Sequence, residues 1–557
     1  MPKNIRFHNN NTINLFGATQ VLLVLIALAA ISLPAGCVAT RAKPAAAAVK
    51  FDLAADPRNL NPLFLTPDAA SVEQQVGRLV FEPFIDLDQH GRPRPELLAE
   101  IPTLRNGGLS ADGRTILYRL RPGVRWSDGV PVSADDVLFT LQAILDSRNP
   151  VRSREGYDLI DRARALGLHR VLFHLKRPWA PAVMTYFSNG IASQFVLPAH
   201  VLRLQMPLAR AAFNAAPAVG DGPYRFISWT RGEALHYAAN SLYWRGRPAV
   251  ERLDLRIIPD PTTNLLLLRA GELDWNLLAP AQLAVLRGDA QIRILAVPTA
   301  VVAGLAFNTA RTPLDDVWVR RALAMSIDRN SISRKITLGF YPVTNMLQPQ
   351  FSWAFDPAVR EPEYDPSAAD KLLDRAGWRR GADGFRRRNA IPLHLTYVQF
   401  PETATGVRVA TAVQAALRQR GIDVTIKAVS NAQLFLPRTG VLATGTFDLA
   451  YVPWTMGADP DDSAVLGCGA PSNYMRWCDR QVERLEQAVL SATAQSARKR
   501  LYAQIGRIVA QQVPILYLFN ADYVYAFRKR LRGFAPNPFV PTWNAYQWRI
   551  EDRASKR

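Results

Sequence analysis

The chain has little of what most enzymes require. Its 557 residues contain no His-Glu-x-x-His motif, no Gly-x-Ser-x-Gly elbow, no Cys-x-x-Cys pair and no Gly-Lys pair of a phosphate-binding loop. Histidine is scarce, and its seven copies are scattered at positions 8, 90, 169, 174, 200, 236 and 394. The sequence therefore predicts neither a catalytic residue nor a resident metal or cofactor. A hydrolase with an unrecognised site is a remote alternative.

Lysine is also rare, so arginine supplies most of the 67 basic residues, and the formal net charge is +20. The longest basic runs are residues 386–388 and 528–530, which are too short for a nucleic-acid footprint. Charge spread over a large surface is the favoured interpretation, and it suits a protein close to an anionic membrane. The length exceeds that of one hydrophobic core, so two or three domains are expected.

Long hydrophobic runs are absent after the N-terminus. Residues 21–33 form an almost wholly apolar stretch behind Lys3 and Arg6. A membrane-spanning helix needs about 20 such residues, so this stretch fits the apolar part of a secretory signal instead.

Small residues and Cys37 follow that stretch and resemble a bacterial lipobox, although Pro34 stands where Leu is usual. We predict a signal peptide over residues 1–36, a lipid on Cys37 and a flexible tether over residues 37–50. Cleavage would leave a formal charge of +18, and secretion without lipid is the alternative.

Cysteine is nearly absent, with three copies in the chain. If Cys37 carries lipid, Cys468 and Cys478 remain as a pair, ten residues apart in a loop rich in turn-forming residues. In an oxidising compartment this spacing favours a local disulfide. Zinc is the rival, but two cysteines with no nearby histidine supply too few ligands.

The remaining pattern alternates between helical and strand signals, which predicts a mixed α/β chain. Ser133 is the predicted N-cap of a helix, with Asp136 completing a capping box. Further helices are predicted over residues 317–336, 365–377, 406–420 and 479–512, with a break in the last near 491–493, and strands over residues 114–120, 422–426 and 515–519.

Eight motifs follow one another along the chain. The longest, residues 118–140, includes Pro-Gly-Val-Arg-Trp-Ser-Asp-Gly and Ser-Ala-Asp-Asp-Val. The others are residues 220–226 (Gly-Asp-Gly-Pro-Tyr-Arg-Phe), 240–248, 271–274, 307–309, 319–329, 364–378 and 513–518. Together they resemble the family 5 extracellular solute-binding proteins, which are dipeptide, oligopeptide and nickel receptors of bacterial ABC importers. The resemblance covers nearly all of residues 50–550.

The resemblance implies an α/β, periplasmic-binding-protein-like two-lobed clamp with an extra inserted domain, of type II and cluster C-like. The ligand is expected between the lobes, with closure as the signal to the transporter. The expected division is residues 51–85, 216–300 and 511–557 for lobe one, 86–215 for the inserted domain, and 301–510 for lobe two.

The expected function is capture of peptides in the periplasm by a monomeric lipoprotein that delivers them to permease subunits. The alternatives are a non-peptide solute, such as a nickel complex, an opine or a glycan fragment, and a receptor without an importer. Nothing in the sequence specifies the ligand's length, or whether the inner or outer membrane holds the lipid.

The resemblance also suggests ligand-binding residues. Family members use an Asp three residues after a Trp for the peptide ammonium, but Gly457 stands there, and Asp459 is the first carboxylate after Trp454. Asp459 is therefore the predicted anchor, or else part of a solvated turn. The other predicted contacts are Trp454, which is equally compatible with a core role, Thr455, Ser71, Asn473, Tyr474 and Tyr157. Residues 126–129 and Asn308 are expected to be structural.

Overall fold

A computed structural model describes residues 48–66, 70–190 and 194–551. The predicted signal peptide, Cys37 and most of the predicted tether lie outside these residues. Within them, no helix combines the length and the apolar character needed to cross a bilayer.

Strands alternate with helices along the chain. The strands are β1 (Ala48–Leu53), β2 (Ile85–Leu87), β3 (Pro93–Pro95), β4 (Thr115–Arg119), β5 (Ile160–Ala165), β6 (Arg170–Leu175), β7 (Tyr224–Thr230), β8 (Ala234–Ala239), β9 (Arg252–Ile257), β10 (Trp275–Leu278), β11 (Ile292–Phe307), β12 (Arg379–Arg380), β13 (Arg386–Arg388), β14 (Ile391–Pro392), β15 (His394–Gln399), β16 (Asp423–Ala428), β17 (Leu449–Thr455), β18 (Ile515–Arg528), β19 (Leu531–Arg532) and β20 (Arg549–Ile550).

The helices are α1 (Ala70–Val80), α2 (Ala134–Leu145), α3 (Ala182–Thr185), α4 (Ala199–Leu202), α5 (Pro261–Ala270), α6 (Val317–Ser326), α7 (Arg329–Ile336), α8 (Pro366–Arg375), α9 (Ala404–Gln419), α10 (Asn431–Phe435), α11 (Val441–Thr444), α12 (Ser463–Leu466), α13 (Arg480–Ser491) and α14 (Gln495–Gln512). Short 3-10 turns join several of them.

One ten-stranded sheet runs through the molecule in the order β16-β15-β17-β11-β18-β10-β1-β9-β8-β7. Its two central strands, β11 and β18, are long and antiparallel. A smaller sheet, β4-β6-β5, lies in the region predicted as the inserted domain.

Two large hydrophobic cores share the central strands. The first core contains Val297 of β11 and Tyr525 of β18, and its other members lie before residue 276 or after residue 530. The second core runs from Val302 of β11 to Phe519 of β18. The strands therefore cross from one core to the other over a few residues, where the β11–β18 register shifts between Pro298 and Val302.

The crossing is held by buried polar groups. The side-chain amide of Asn520 donates to the carbonyl oxygens of Thr299 and Val301, at 2.8 and 2.9 Å. The Thr299 hydroxyl donates back to the carbonyl of Ala521. These bonds satisfy backbone groups that the shifted register would leave unpaired in the interior.

The helices that local signals predicted begin close to the expected residues. The capping box of Ser133 and Asp136 is present at the start of α2, and the predicted gap between α13 and α14 is confirmed. The predicted helix over residues 317–336 is two helices instead, because Asp328 caps a new helix and accepts the Ser331 N–H at 2.8 Å. The predicted strand 515–519 continues to Arg528.

Candidate functional site

A cavity of about 770 Å³ opens between two stretches of the chain. One wall comes from residues 152–194, which include α3, and the other from residues 435–474, which include the end of β17 and the segment that follows it. The first wall belongs to the predicted inserted domain and the second to the predicted lobe two.

The end of β17 gives the cavity an exposed strand edge. β17 pairs with β11 from Leu449 through Thr455, but its pairing with β15 on the other edge stops at Ala450. Residues 452–455 line the cavity. Their free edge can therefore pair with an extended ligand as an added strand, in which Pro453 offers only its carbonyl oxygen.

Trp454 and Thr455 are two of the predicted ligand contacts, and both lie at the cavity wall. Trp454 also belongs to the second core, and its ring packs over Gly304 of β11. The Thr455 side chain is exposed. Trp454 is thus a core residue that also forms part of the wall.

Asp459 is not a free carboxylate. Its two oxygens accept from the two terminal nitrogens of Arg498 in α14, at 2.5 and 2.7 Å, and both side chains are buried. Burial lowers the pKa of Arg498, but Asp459 more than compensates and leaves it above its ordinary value. This pairing disagrees with the predicted ammonium anchor, since a ligand would have to displace an arginine that already neutralises the carboxylate.

Cys468 and Cys478 form a disulfide bond that closes a loop. One of the two predicted contacts in this loop lines the cavity. Tyr474 lines the wall and packs edge-on against Phe435. Asn473 does not line it, because its amide donates to the carbonyls of Gly467 and Trp477 and holds the loop together.

Two further predicted contacts lie away from the cavity. Tyr157 is fully buried, and its hydroxyl accepts the Phe187 N–H at 2.8 Å. Ser71 lies in the first turn of α1 and is exposed, so residues 70–72 offer no extended edge for a ligand. The structure therefore disagrees with both predicted contacts.

The structure brings to the cavity two carboxylates that the sequence analysis missed. Glu155 lies two residues before Tyr157, and Asp461 two residues after Asp459. Burial raises the pKa of Glu155, followed in effect by repulsion from Asp461 and Asp158. Burial likewise raises the pKa of Asp461, against a hydrogen bond from Ser463. Neither residue stands in a recognisable motif, so the sequence could not show that both would line one cavity.

The wall formed by residues 152–194 also touches the end of α13. The Ala180 N–H donates to the Leu490 carbonyl at the end of α13, at 2.7 Å. The Leu490 side chain packs against the first core. A second, mainly apolar cavity of about 390 Å³ adjoins this contact and shares Trp179 and Asp459 with the larger one.

Metal-binding geometry is not evident in the described part of the chain. No group of three or more His, Cys, Asp and Glu side chains there is arranged to hold a metal ion.

Comparison with known sequences places these features in a family. Residues 93–475 match the model of the bacterial extracellular solute-binding proteins, family 5. Di/tripeptide-binding protein 2 of Pseudomonas aeruginosa is 30% identical over 469 residues, which cover 79% of this chain and 84% of that protein. The dipeptide-binding protein of Escherichia coli is 26% identical over 456 residues, covering 77% and 82%.

Solved structures share the fold. The oligopeptide-binding protein AppA of Bacillus subtilis, in complex with a nonapeptide, has a TM-score of 0.73 at 22% identity and covers 91% of this chain and 99% of its own. NikZ of Campylobacter jejuni, in complex with Ni(L-His), has a TM-score of 0.75 at 24% identity and covers 90% and 99%. The predicted two-lobed α/β clamp is confirmed, and the chain belongs to family 5 of the bacterial extracellular solute-binding proteins.

Proposed function

We propose that this chain is the extracytoplasmic binding component of an ABC importer and that it captures short peptides and delivers them to the permease. The observation that carries the proposal is the large cavity between two walls of the clamp, with the free edge of β17 along one side. The names of the sequence relatives support the same class of ligand, since they are di/tripeptide- and dipeptide-binding proteins.

The peptide backbone would lie along residues 452–455 and add a strand to the sheet. Hydrogen bonds to a strand edge hold any sequence, because every peptide offers the same backbone groups. Trp454, Thr455 and Tyr474 would form the walls for side chains. A cavity of this size leaves room for water around small side chains, which lets one receptor accept several peptides.

The division of the chain into domains remains a proposal with the boundaries predicted above. The second core spans residues 302–519, so it also contains Val513 and residues 515–519, which the proposed division assigns to lobe one. The first core unites the proposed lobe one with the inserted domain, residues 86–215. Both cavity walls then belong to parts that can move as bodies about β11 and β18.

Location and anchoring are part of the same proposal. A lipid on Cys37 would tether a monomeric receptor to a membrane in the periplasm, where the Cys468–Cys478 bond is stable. The protein would bind and release its ligand without chemical change.

Native mass spectrometry of mature protein purified under gentle conditions tests the proposal. A series of co-purified masses that correspond to short peptides is the expected result, together with thermal stabilisation by members of a peptide library. A single non-peptide mass, or a protein that no peptide stabilises, would overturn the peptide assignment and favour a non-peptide solute in the same cavity.

A further inference from the structure

The charges around the cavity do not balance. Arg498 is neutralised by Asp459. Arg152 is exposed in the cavity lining and makes no ion pair with a described residue, although the charge of Glu73 influences it. Glu155 and Asp461 remain, one on each wall. Neither carboxylate makes an ion pair with any described residue. The charge of Asp461 contributes to the raised pKa of Glu155, after burial, the largest cause.

The backbone at Glu155 is held in place by its neighbours, while its side chain is exposed. The guanidinium of Arg154 donates to three backbone carbonyls, those of Ile144, Asp146 and Asn149. The next residue, Gly156, has a φ of +78° and lies directly under the Trp179 ring, where a Cβ would come within 2.0 Å of a ring carbon. The backbone on both sides of Glu155 is therefore fixed, and Tyr157 pins its far end to Phe187.

Asp461 stands on an equally firm segment. The preceding Asp459 is bound to Arg498, and the following Asp462 accepts from the side chain of Gln348 at 2.6 Å. One Asp461 oxygen accepts the Ser463 N–H at 3.0 Å. This bond helps to orient the side chain of a residue that lines the cavity.

We propose that Glu155 and Asp461 form a cation-binding pair that selects peptides with a net positive charge, such as those containing lysine or arginine. The inference rests on the proposed peptide receptor and assigns its ligand class. A neutral zwitterionic peptide brings one ammonium to two carboxylates and adds a carboxylate of its own. A basic peptide brings a second cation, so each carboxylate gains a partner when water leaves the cavity.

The closed clamp strengthens this selection. Like charges that face each other in a partly dehydrated cavity oppose closure, whereas a cation between them favours it. Because the two carboxylates come from opposite walls, a cationic ligand contributes directly to the closed state.

Isothermal titration calorimetry of the mature protein with three sets of tripeptides tests the proposal. The three sets differ in which position of the tripeptide is varied. Within a set, that position carries Lys, Met or Glu, and the other two positions carry Ala. The best Lys peptide is expected to bind about tenfold more tightly than its Met counterpart, with the Glu peptide weakest.

The variants Glu155→Gln and Asp461→Asn keep the side-chain shape and remove one charge each. Each is expected to reduce the Lys-to-Met preference by about threefold or more, with circular dichroism as the check on folding. Asp161→Asn is the matched control, because Asp161 lies on β5 outside the cavity and pairs with the exposed Arg162. That control should keep the full preference.

The wild-type protein supplies a test that needs no substitution. Acidification protonates the pair, so the preference for Lys should shrink as the pH falls through the raised pKa values of Glu155 and Asp461, whose charged neighbours are Asp158, Asp459 and Arg498.

Equal affinity for Lys and Met peptides would overturn the charge selection while peptide capture stands. A Lys preference that survives both substitutions would overturn the assignment to these two residues. If no tripeptide binds, the proposed function fails, and the selection fails with it.

Discussion

Asp459 and Asp461 are separated by one proline, yet their surroundings give them different roles. Asp459 is buried and bound through both oxygens to Arg498, beside the Trp353 and Tyr502 rings. Asp461 lines the cavity, accepts the Ser463 N–H and makes no ion pair with a described residue. The position of a carboxylate in a motif therefore says less about ligand binding than the presence of a neighbouring arginine.

The substitution Asp459→Asn should destabilise the protein by about 3–5 kcal/mol, because it leaves the buried Arg498 guanidinium without a counter-charge. Urea denaturation followed by circular dichroism measures this loss. Asp383→Asn is the control, since Asp383 forms its ion pair with Arg387 at the surface and should tolerate the change. A loss at Asp459 no larger than that of the control would contradict a structural role for the pair.

At the scale of elements, helix starts were predictable from the sequence, whereas proximity between residues distant in sequence was not. Ser133, Asp365 and Asp479 cap their helices through bonds to residues two or three positions away, and such bonds leave a local pattern in the sequence. Asp328 has the same role in α7, but the apolar rhythm runs through residues 317–336 and concealed the break.

The candidate site was only half predictable for a related reason. Residues 454, 455 and 474 were found through resemblance, since they stand near a recognisable stretch of sequence. Glu155 and Asp461 line one cavity although some 300 positions of chain separate them, and no periodicity or spacing in one sequence reports such proximity. Ser71 was misplaced because α1 begins where an extended segment was expected.

Two buried carboxyl groups lie on the neighbouring helices α12 and α13. Asp462, at the start of α12, and Glu486 of α13 are both buried, and burial, together with their mutual repulsion, raises the pKa of Glu486. Burial also raises the pKa of Asp462, against a hydrogen bond from Gln348. The charged neighbours are Asp461 and Glu483. The folded state therefore favours the form in which this pair holds a proton.

An acid whose folded pKa is raised keeps its proton to higher pH in the folded state than in the unfolded state. Stability from this pair is thus full below the ordinary carboxyl range, near pH 4, and is lost as the pH rises toward the folded values. Glu486→Gln should flatten the fall in the free energy of unfolding over this window, measured by urea midpoints at several pH values. The exposed Glu363 gives the control Glu363→Gln, and equal slopes in both variants would refute the prediction.

At the scale of the whole molecule, a basic surface encloses an acidic cavity. The formal charge of the chain is +20, yet the cavity wall carries two carboxylates without ion pairs to described residues, Glu155 and Asp461, against one such cation, Arg152. The surface charge suits a position near an anionic membrane, and the cavity charge acts on the ligand over short range. The surface charge and the cavity charge therefore act on different partners, the membrane and the ligand.

Closure of the clamp should depend on the contact between Ala180 and Leu490. Leu490→Ala removes apolar surface that packs against the first core, at a cost of about 1 kcal/mol to the closed state, which corresponds to an approximately fivefold higher Kd. Calorimetry with a bound peptide measures it. Val407→Ala, on the exposed side of α9, should leave Kd unchanged. A Leu490→Ala variant of lower stability but unaltered Kd would argue against a role in closure.

The second core begins at Val302 and ends at Phe519, and the strands that carry these residues are direct neighbours in the sheet. The chain thus enters and leaves this half of the clamp on two neighbouring strands. In topological terms that half is a cassette: two junctions, one in each central strand, would suffice to exchange it with the corresponding part of a relative. Asp461, Tyr474 and the free edge of β17 would travel with the cassette, and Glu155 would stay behind.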